Sequence, residues 1–177
     1  QLRSIVIQVV LATDMSMHFE LLTQFQAKVV DASALCGLTS RQKWEAMDQA
    51  QKVLTIQIAM KVSDIGACAL PIEQHMEWNS RMQEEFFKQG DRERAHGLPP
   101  SFLMDRRKPG VQNGKNQVGF FKFIVLPLMS AWVKVFPECQ SMLNQAQANH
   151  KHWEFLASAD LDAGGEELIS LRASDKQ

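Results

Sequence analysis

The sequence predicts an all-α fold, a multi-helix bundle. Apolar residues recur at three- and four-residue spacing along most of the chain, and no stretch holds a strict apolar and polar alternation long enough for a strand. Breakers such as Gly37, Gly97 and Pro99-Pro100 fall between the periodic runs, where helices stop. A length of 177 residues with 45% hydrophobic side chains suits one domain able to bury a core without disulfides or metal staples.

The first helix carries Ile5, Val9, Leu11, Met15, Phe19, Leu22, Phe25 and Val29, and Gly37 lies just past its end. Gln1 opens the chain and the segment from Ile5 to Leu11 is apolar at once, with only Ser4 to cap it, so it reads as entered in mid-helix and as a truncated product. Thr39 or Ser40 caps the next run, in which Trp44, Met47, Val53, Leu54, Ile56, Ile58, Ala59 and Met60 fit one or two helices ending near Asp64. Pro71 suits the first turn of a helix that runs to about Ala95 and is closed by Gly97 and Pro99-Pro100. Residues 101–116, with Pro109, Gly110 and Gly114, form a mobile loop. Helix returns from Gln117 to about Ala148, kinked at Pro127 and broken or restarted at Pro137. The final residues, 156–177, are acidic and small and read as a flexible tail.

Composition excludes several classes of function. A net charge of −1 with 22% charged residues gives no overall attraction to nucleic acid or to an anionic membrane. The local cluster Arg106, Arg107, Lys108 and Lys115 is short and lacks interleaved aromatics, so no nucleic-acid partner is expected. The run from Val118 to Leu128 is interrupted by Lys122 and falls well short of the ~20 apolar residues of a membrane span, so none is expected. The opening segment lacks the basic region and small-residue cleavage site of a signal peptide. Cys36, Cys68 and Cys139 are unpatterned thiols, which points to a reducing compartment and a cytoplasmic location. Asp160-Leu161-Asp162-Ala163-Gly164-Gly165 is rejected as a calcium loop, because its fifth and twelfth positions, Gly164 and Leu171, carry no oxygen ligand.

Four constellations carry chemistry. Asp64 ends an apolar helical run in Lys61-Val62-Ser63-Asp64-Ile65; a carboxylate there suits a hard divalent cation, although spacing alone favours a cap or surface charge. Gln117 and Phe120 share one helix face, an amide that offers a donor and an acceptor beside a ring that can stack on a base; by spacing alone they are equally a solvated Gln and a core Phe. Asn79, Met82 and Phe86 fall at i, i+3 and i+7 on the Pro71 helix, with Leu103 in the following loop, and plain core packing would give the same pattern. In Ala12-Thr13-Asp14-Met15-x-x-His18, Asp14 and His18 are i, i+4 neighbours, more often a surface contact than a metal pair. His150 and His152 face different sides of a helix and read as solvated.

Lys61 to Ile65, the run Glu84-Glu85-Phe86-Phe87-Lys88-Gln89-Gly90-Asp91 and the run Asn116-Gln117-Val118-Gly119-Phe120 together resemble the second half of the catalytic domain of class I 3′,5′-cyclic-nucleotide phosphodiesterases. The resemblance extends from about Ile5 to Phe155 and is closest over Val10–Gln26, Met60–Asp105 and Gln117–Val135. It implies that residues 1–155 are the carboxy-terminal part of that HD-type helical catalytic domain, with 156–177 as the tail. It further implies a two-metal centre, Zn with Mg or Mn, to which Asp64 gives one ligand; no His-Asp dipeptide, the source of the other ligands in that family, occurs in these 177 residues. No other residue here is expected to be catalytic. Gln117 would hold the purine and Phe120 clamp it, with Asn79, Met82, Phe86, Leu103 and Met15 lining the pocket and Thr13 or Asp14 touching metal-bound water. Ser63 and Gly66 depart from the family's commonest pattern, and Ala67 leaves the choice between adenine and guanine open.

The implied function is hydrolysis of cAMP or cGMP to the 5′-monophosphate, in partnership with the missing amino-terminal half of the domain. The alternative is a catalytically inactive helical interaction or regulatory module derived from that domain. Loss of the helices that pack on its apolar face predicts that the chain alone self-associates, a homodimer among the outcomes, or is unstable.

Overall fold

A computed structural model describes residues 2–108 and 110–174, with side chains described as far as residue 159. Among the described residues every regular element is helical and no strand occurs. The α-helices are α1 (Leu2–Leu11), α2 (His18–Phe25), α3 (Ser40–Ala46), α4 (Gln49–Asp64), α5 (Ile72–Ala95), α6 (Gly114–Phe120), α7 (Leu126–Val135) and α8 (Gln140–Ser174). The chain divides into two compact units, residues 1–70 with 123–147 and residues 71–122 with 148–177.

In the first unit the core is built from Ala12, Leu21, Phe25, Val29, Leu35, Met47, Leu54, Ile58, Val62, Leu128, Ala131 and Val135. Phe25 stacks on Trp132 with ring centroids 6.4 Å apart. The expected helix from Ile5 to Val29 is instead two helical runs, 2–11 and 15–30, meeting at 87°. The break lies at Ala12–Asp14: Asp14 Oδ1 accepts from the Ser16 N–H at 2.8 Å and Thr13 Oγ1 donates to Val10 O at 2.9 Å. Asp and Thr side chains offer the backbone such local bonds in place of helix continuation. The apolar period runs straight through this turn, which is why periodicity hides it. Thr39 caps α3, and Asp48 caps α4 and separates the two; each forms a reciprocal box with the glutamine three residues on, Gln42 and Gln51.

In the second unit α5 is 24 residues long, with Pro71 at its N-cap. The segment 101–113 returns along it, fastened by Arg106, whose guanidinium donates to both oxygens of Glu84 at 2.9 Å and to Asp91 Oδ2 at 2.7 Å while lying over the Phe87 ring. The part of this segment expected to be loop to Asn116 ends earlier, because Asn113 caps α6 through the Asn116 N–H. A Cβ on Gly90 would lie 1.9 Å from Met104 O, so glycine lets the segment approach α5.

Pro127 falls in the first turn of α7, and the backbone ahead of it, Phe121–Val125, widens into a π-helical turn. Helix continues in α8 to Ser174, through most of the segment 156–177 that the sequence reads as a flexible acidic tail. Ala157, Ala159 and Ala163 favour helix here, while Gly164 and Gly165 oppose it. Residues 175–177 lie outside the described residues.

The helical run Gly114–Val135 is, by length and composition alone, long and apolar enough to cross a membrane. The shorter stretch weighed from sequence understated it, because the helix incorporates Lys122 and Pro127. Phe121, Val125, Leu128 and Met129 on this run are fully buried within the units, as in the core helix of a globular fold.

Candidate functional site

The first unit carries the candidate metal-binding residues. Asp64 is exposed at the carboxyl end of α4, where the helix dipole adds negative potential. One turn earlier Lys61 is buried, and its Nζ donates to Ala12 O at 2.9 Å and to Asp14 O at 3.3 Å. These bonds tie the Ala12–Asp14 turn to the helix that ends in Asp64. Burial lowers the Lys61 pKa, and the nearby carboxylates of Asp64 and Asp14 oppose that shift. The Ser16 N–H holds the Asp14 carboxyl below its ordinary pKa. Thr13 spends its hydroxyl on Val10 O, Met15 is exposed, and His18 is buried rather than paired with Asp14.

This arrangement does not by itself fit a two-metal centre. Among the described residues no group of three or more His, Cys, Asp or Glu side chains converges, and the candidate ligand Asp64 offers one carboxylate. A divalent cation requires several such donors or waters.

The second unit carries the candidate base-binding residues. Gln117 lies in the first turns of α6 and is buried; its Nε2 donates to Val111 O at 2.6 Å and to Asn79 Oδ1 at 3.4 Å. Of the residues expected to share a pocket face on α5, Asn79 is buried and meets Gln117, whereas Met82 is exposed and Phe86 half-buried. Phe120 is half-buried on α6. Leu103, half-buried and held at φ 68°, packs against Gly110, where a Cβ would lie 2.5 Å from its side chain. The structure thus joins Asn79 to Gln117 directly and leaves Met82 facing outward.

Two residues that the sequence reading passed over belong to this cluster. His75 is fully buried, with Nε2 at 2.9 Å from both Asn79 Nδ2 and Trp153 Nε1. The i, i+4 spacing of His75 and Asn79 was a local signal; Trp153 is 78 residues away from His75 and left none. His150 and His152 are half-buried rather than solvated, His150 stacked on Phe121 at 6.0 Å and His152 edge-on to Trp153 at 6.2 Å.

Residues 1–146 match the family model described as 3′5′-cyclic nucleotide phosphodiesterase. The chain is 35% identical over 157 residues to a probable 3′,5′-cyclic-AMP phosphodiesterase of Caenorhabditis elegans, covering 87% of this chain and 22% of that protein. It is 31% identical over 161 residues to a high-affinity cGMP-specific 3′,5′-cyclic phosphodiesterase of Mus musculus, covering 90% and 28%. The phosphodiesterase domain of a rhodopsin fusion protein from the choanoflagellate Salpingoeca rosetta superposes with a TM-score of 0.74 at 24% identity, over 91% of this chain and 48% of that one. The chain therefore spans about a quarter of the length of these curated relatives and about half of that solved domain. The helical fold predicted from sequence is the fold of that domain, and by its match over residues 1–146 the chain belongs to the 3′,5′-cyclic nucleotide phosphodiesterase family.

Proposed function

We propose that this chain supplies the purine-binding part of an enzyme that hydrolyses a 3′,5′-cyclic nucleotide to its 5′-monophosphate. The observation that carries the reading is the buried Gln117 amide, fixed on α6 one turn before Phe120. A fixed amide gives a base edge directional hydrogen bonding, and a half-buried ring on the same helix offers a stacking surface. Membership of the family supports the substrate class, and relatives named for cAMP and for cGMP leave the base open. Asp64 would contribute one ligand toward the two divalent metals the reaction uses, with Thr13 and Asp14 near the water bound there. Met82, Phe86 and Leu103, in the same unit as Gln117, would complete the pocket lining.

A second reading, a helical module that binds nucleotide without turnover, is favoured by the absence of a ligand cluster among the described residues. Calorimetric titration of the chain with cAMP and cGMP tests the shared binding step. Gln117→Ala should weaken binding about tenfold, as for loss of a hydrogen bond to a polar base edge, and Phe120→Ala should do so comparably. Equal affinity for cAMP and ribose 5-phosphate would refute purine recognition. Product release with Mg²⁺ and Mn²⁺ separates the two readings: turnover abolished by Asp64→Ala would exclude the non-catalytic module.

A further inference from the structure

The α5 helix closes on itself at its carboxyl end and hands the chain to an exposed proline pair. Gly97, at φ 73°, donates its N–H to Arg94 O at 3.0 Å, and the Leu98 N–H donates to Glu93 O at 2.9 Å. This is the Schellman arrangement, in which the residue at the position of Leu98 commonly folds an apolar side chain back onto the helix. The helix residue placed to receive it is Glu93, and Leu98 is 58% exposed instead. Phe102, four residues on, is 83% exposed, the most exposed large apolar side chain among the described residues. The stretch between them is held rather than frayed. The Glu93 carboxylate accepts from the Ser101 N–H at 2.7 Å and from Ser101 Oγ at 2.8 Å, and Gln89 Nε2 donates to the same carboxylate at 3.0 Å. The proline rings fix φ of Pro99 and Pro100 near about −65°, and each residue that precedes a proline, here Leu98 and Pro99, is pushed to extended or polyproline II backbone. Residues 98–101 accordingly carry no regular element.

We propose that Leu98-Pro99-Pro100-Ser101-Phe102 is a docking segment for a protein module that takes extended proline-rich ligands into a groove lined by aromatic side chains, with Phe102 as its anchor. Stopping α5 explains the prolines, which commonly follow a helix end, but a helix stop requires neither Leu98 nor Phe102 in water. A segment already extended loses little conformational entropy on binding, and its rings present apolar faces to an aromatic groove. The prolines carry no N–H, and the N–H groups of Leu98 and Ser101 are bonded to Glu93, so a partner need not satisfy these donors when it covers them. Charge sets the rim of the groove. Within residues 92–108 five basic side chains, Arg92, Arg94, Arg106, Arg107 and Lys108, outnumber Glu93 and Asp105, and an acidic rim complements them. The docking depends on no step of the nucleotide chemistry.

The test uses purified WW and SH3 domains with acidic groove rims as probes, each titrated calorimetrically into the full chain. At least one should bind, and its affinity should fall as salt is raised. Phe102→Ala and Pro99→Ala, both at exposed positions, should each weaken that binding about tenfold, as for truncated anchor residues. Glu93→Ala leaves the docking side chains in place and releases Ser101, so it should weaken binding about threefold through lost pre-ordering. Should Glu93→Ala fail to fold, Ser101→Ala removes one of the same bonds from the loop side and carries the same expectation. Binding of no probe, or binding that Phe102→Ala leaves unchanged, would overturn the proposal. Phe102-dependent attachment to phosphatidylserine vesicles with no module bound would overturn it in favour of a membrane surface.

Discussion

At the scale of single residues, buried polar groups in this chain meet two opposite fates. In the second unit, Trp153, His75, Asn79 and Gln117 satisfy one another. In the first unit, His18 is 1% exposed, and neither ring nitrogen has a hydrogen-bond partner. Burial, with the charge of Lys61 as the smaller cause, pushes its pKa below the ordinary 6.5. The sign of the consequence follows from proton linkage. Below pH 6.5 the unfolded chain takes up a proton at this position that the folded chain resists, so folding loses stability as pH falls through the interval beneath 6.5 and keeps it above. In calorimetry the melting temperature of His18→Leu should therefore exceed that of wild type by more at pH 5.5 than at pH 8. Parallel pH profiles would show that His18 does not carry this dependence. Leucine also removes a buried ring without hydrogen-bond partners, a gain of about 1–3 kcal/mol at every pH, so the widening of the difference at low pH is what tests His18.

At the scale of elements, close backbone approaches fix where helices pass one another. A Cβ on Gly114 would lie 2.7 Å from Ala157 N and 2.8 Å from its Cα, so the start of α6 touches the backbone of α8 with no room for a side chain. Gly114→Ala should cost about 1–3 kcal/mol in denaturant unfolding, the usual result of inserting a methyl group where backbone must yield. An unfolding midpoint unchanged from wild type would mean that α8 is free to move away. This contact also shows what the sequence could and could not disclose. Helical class, the Thr39 cap and the run ending at Asp64 were legible, because caps and apolar spacing are local properties. The turn at Ala12–Asp14 was hidden because Ala12 is itself buried core and keeps the apolar period intact across the break. The continuation of α8 to Ser174 left no clear signal, because Gly164-Gly165 and the acidic composition oppose the helix propensity of the neighbouring alanines. At the site, Gln117 with Phe120 was visible as a motif, whereas Trp153 and Val111 enter only through folding, by contacts that no spacing rule encodes.

At the scale of the whole molecule, the first unit leaves a large apolar surface open. Leu2, Val6 and Val10 recur every four residues on α1 and are 76%, 52% and 56% exposed; Ile7, Leu11 and Phe19 are exposed as well. Val9 alone on α1 is buried, so the helix spends most of its apolar character on water. Scattered exposed leucines are ordinary, but a contiguous stripe on one helix marks a surface that lowers its free energy by being covered. With a formal net charge of −1, long-range repulsion between copies is too weak to keep such stripes apart. The chain is therefore expected to self-associate at micromolar concentration, and sedimentation velocity should show species heavier than the 20.0 kDa monomer. The double substitution Val6→Glu with Val10→Lys puts opposite charges one turn apart in the order that supports a helix, while interrupting the stripe. It should shift the distribution to monomer without changing helical content by circular dichroism. Association that persists in this variant would place the contact elsewhere, and a wild-type chain that is monomeric throughout would show that the α1 stripe is stable in water as it stands.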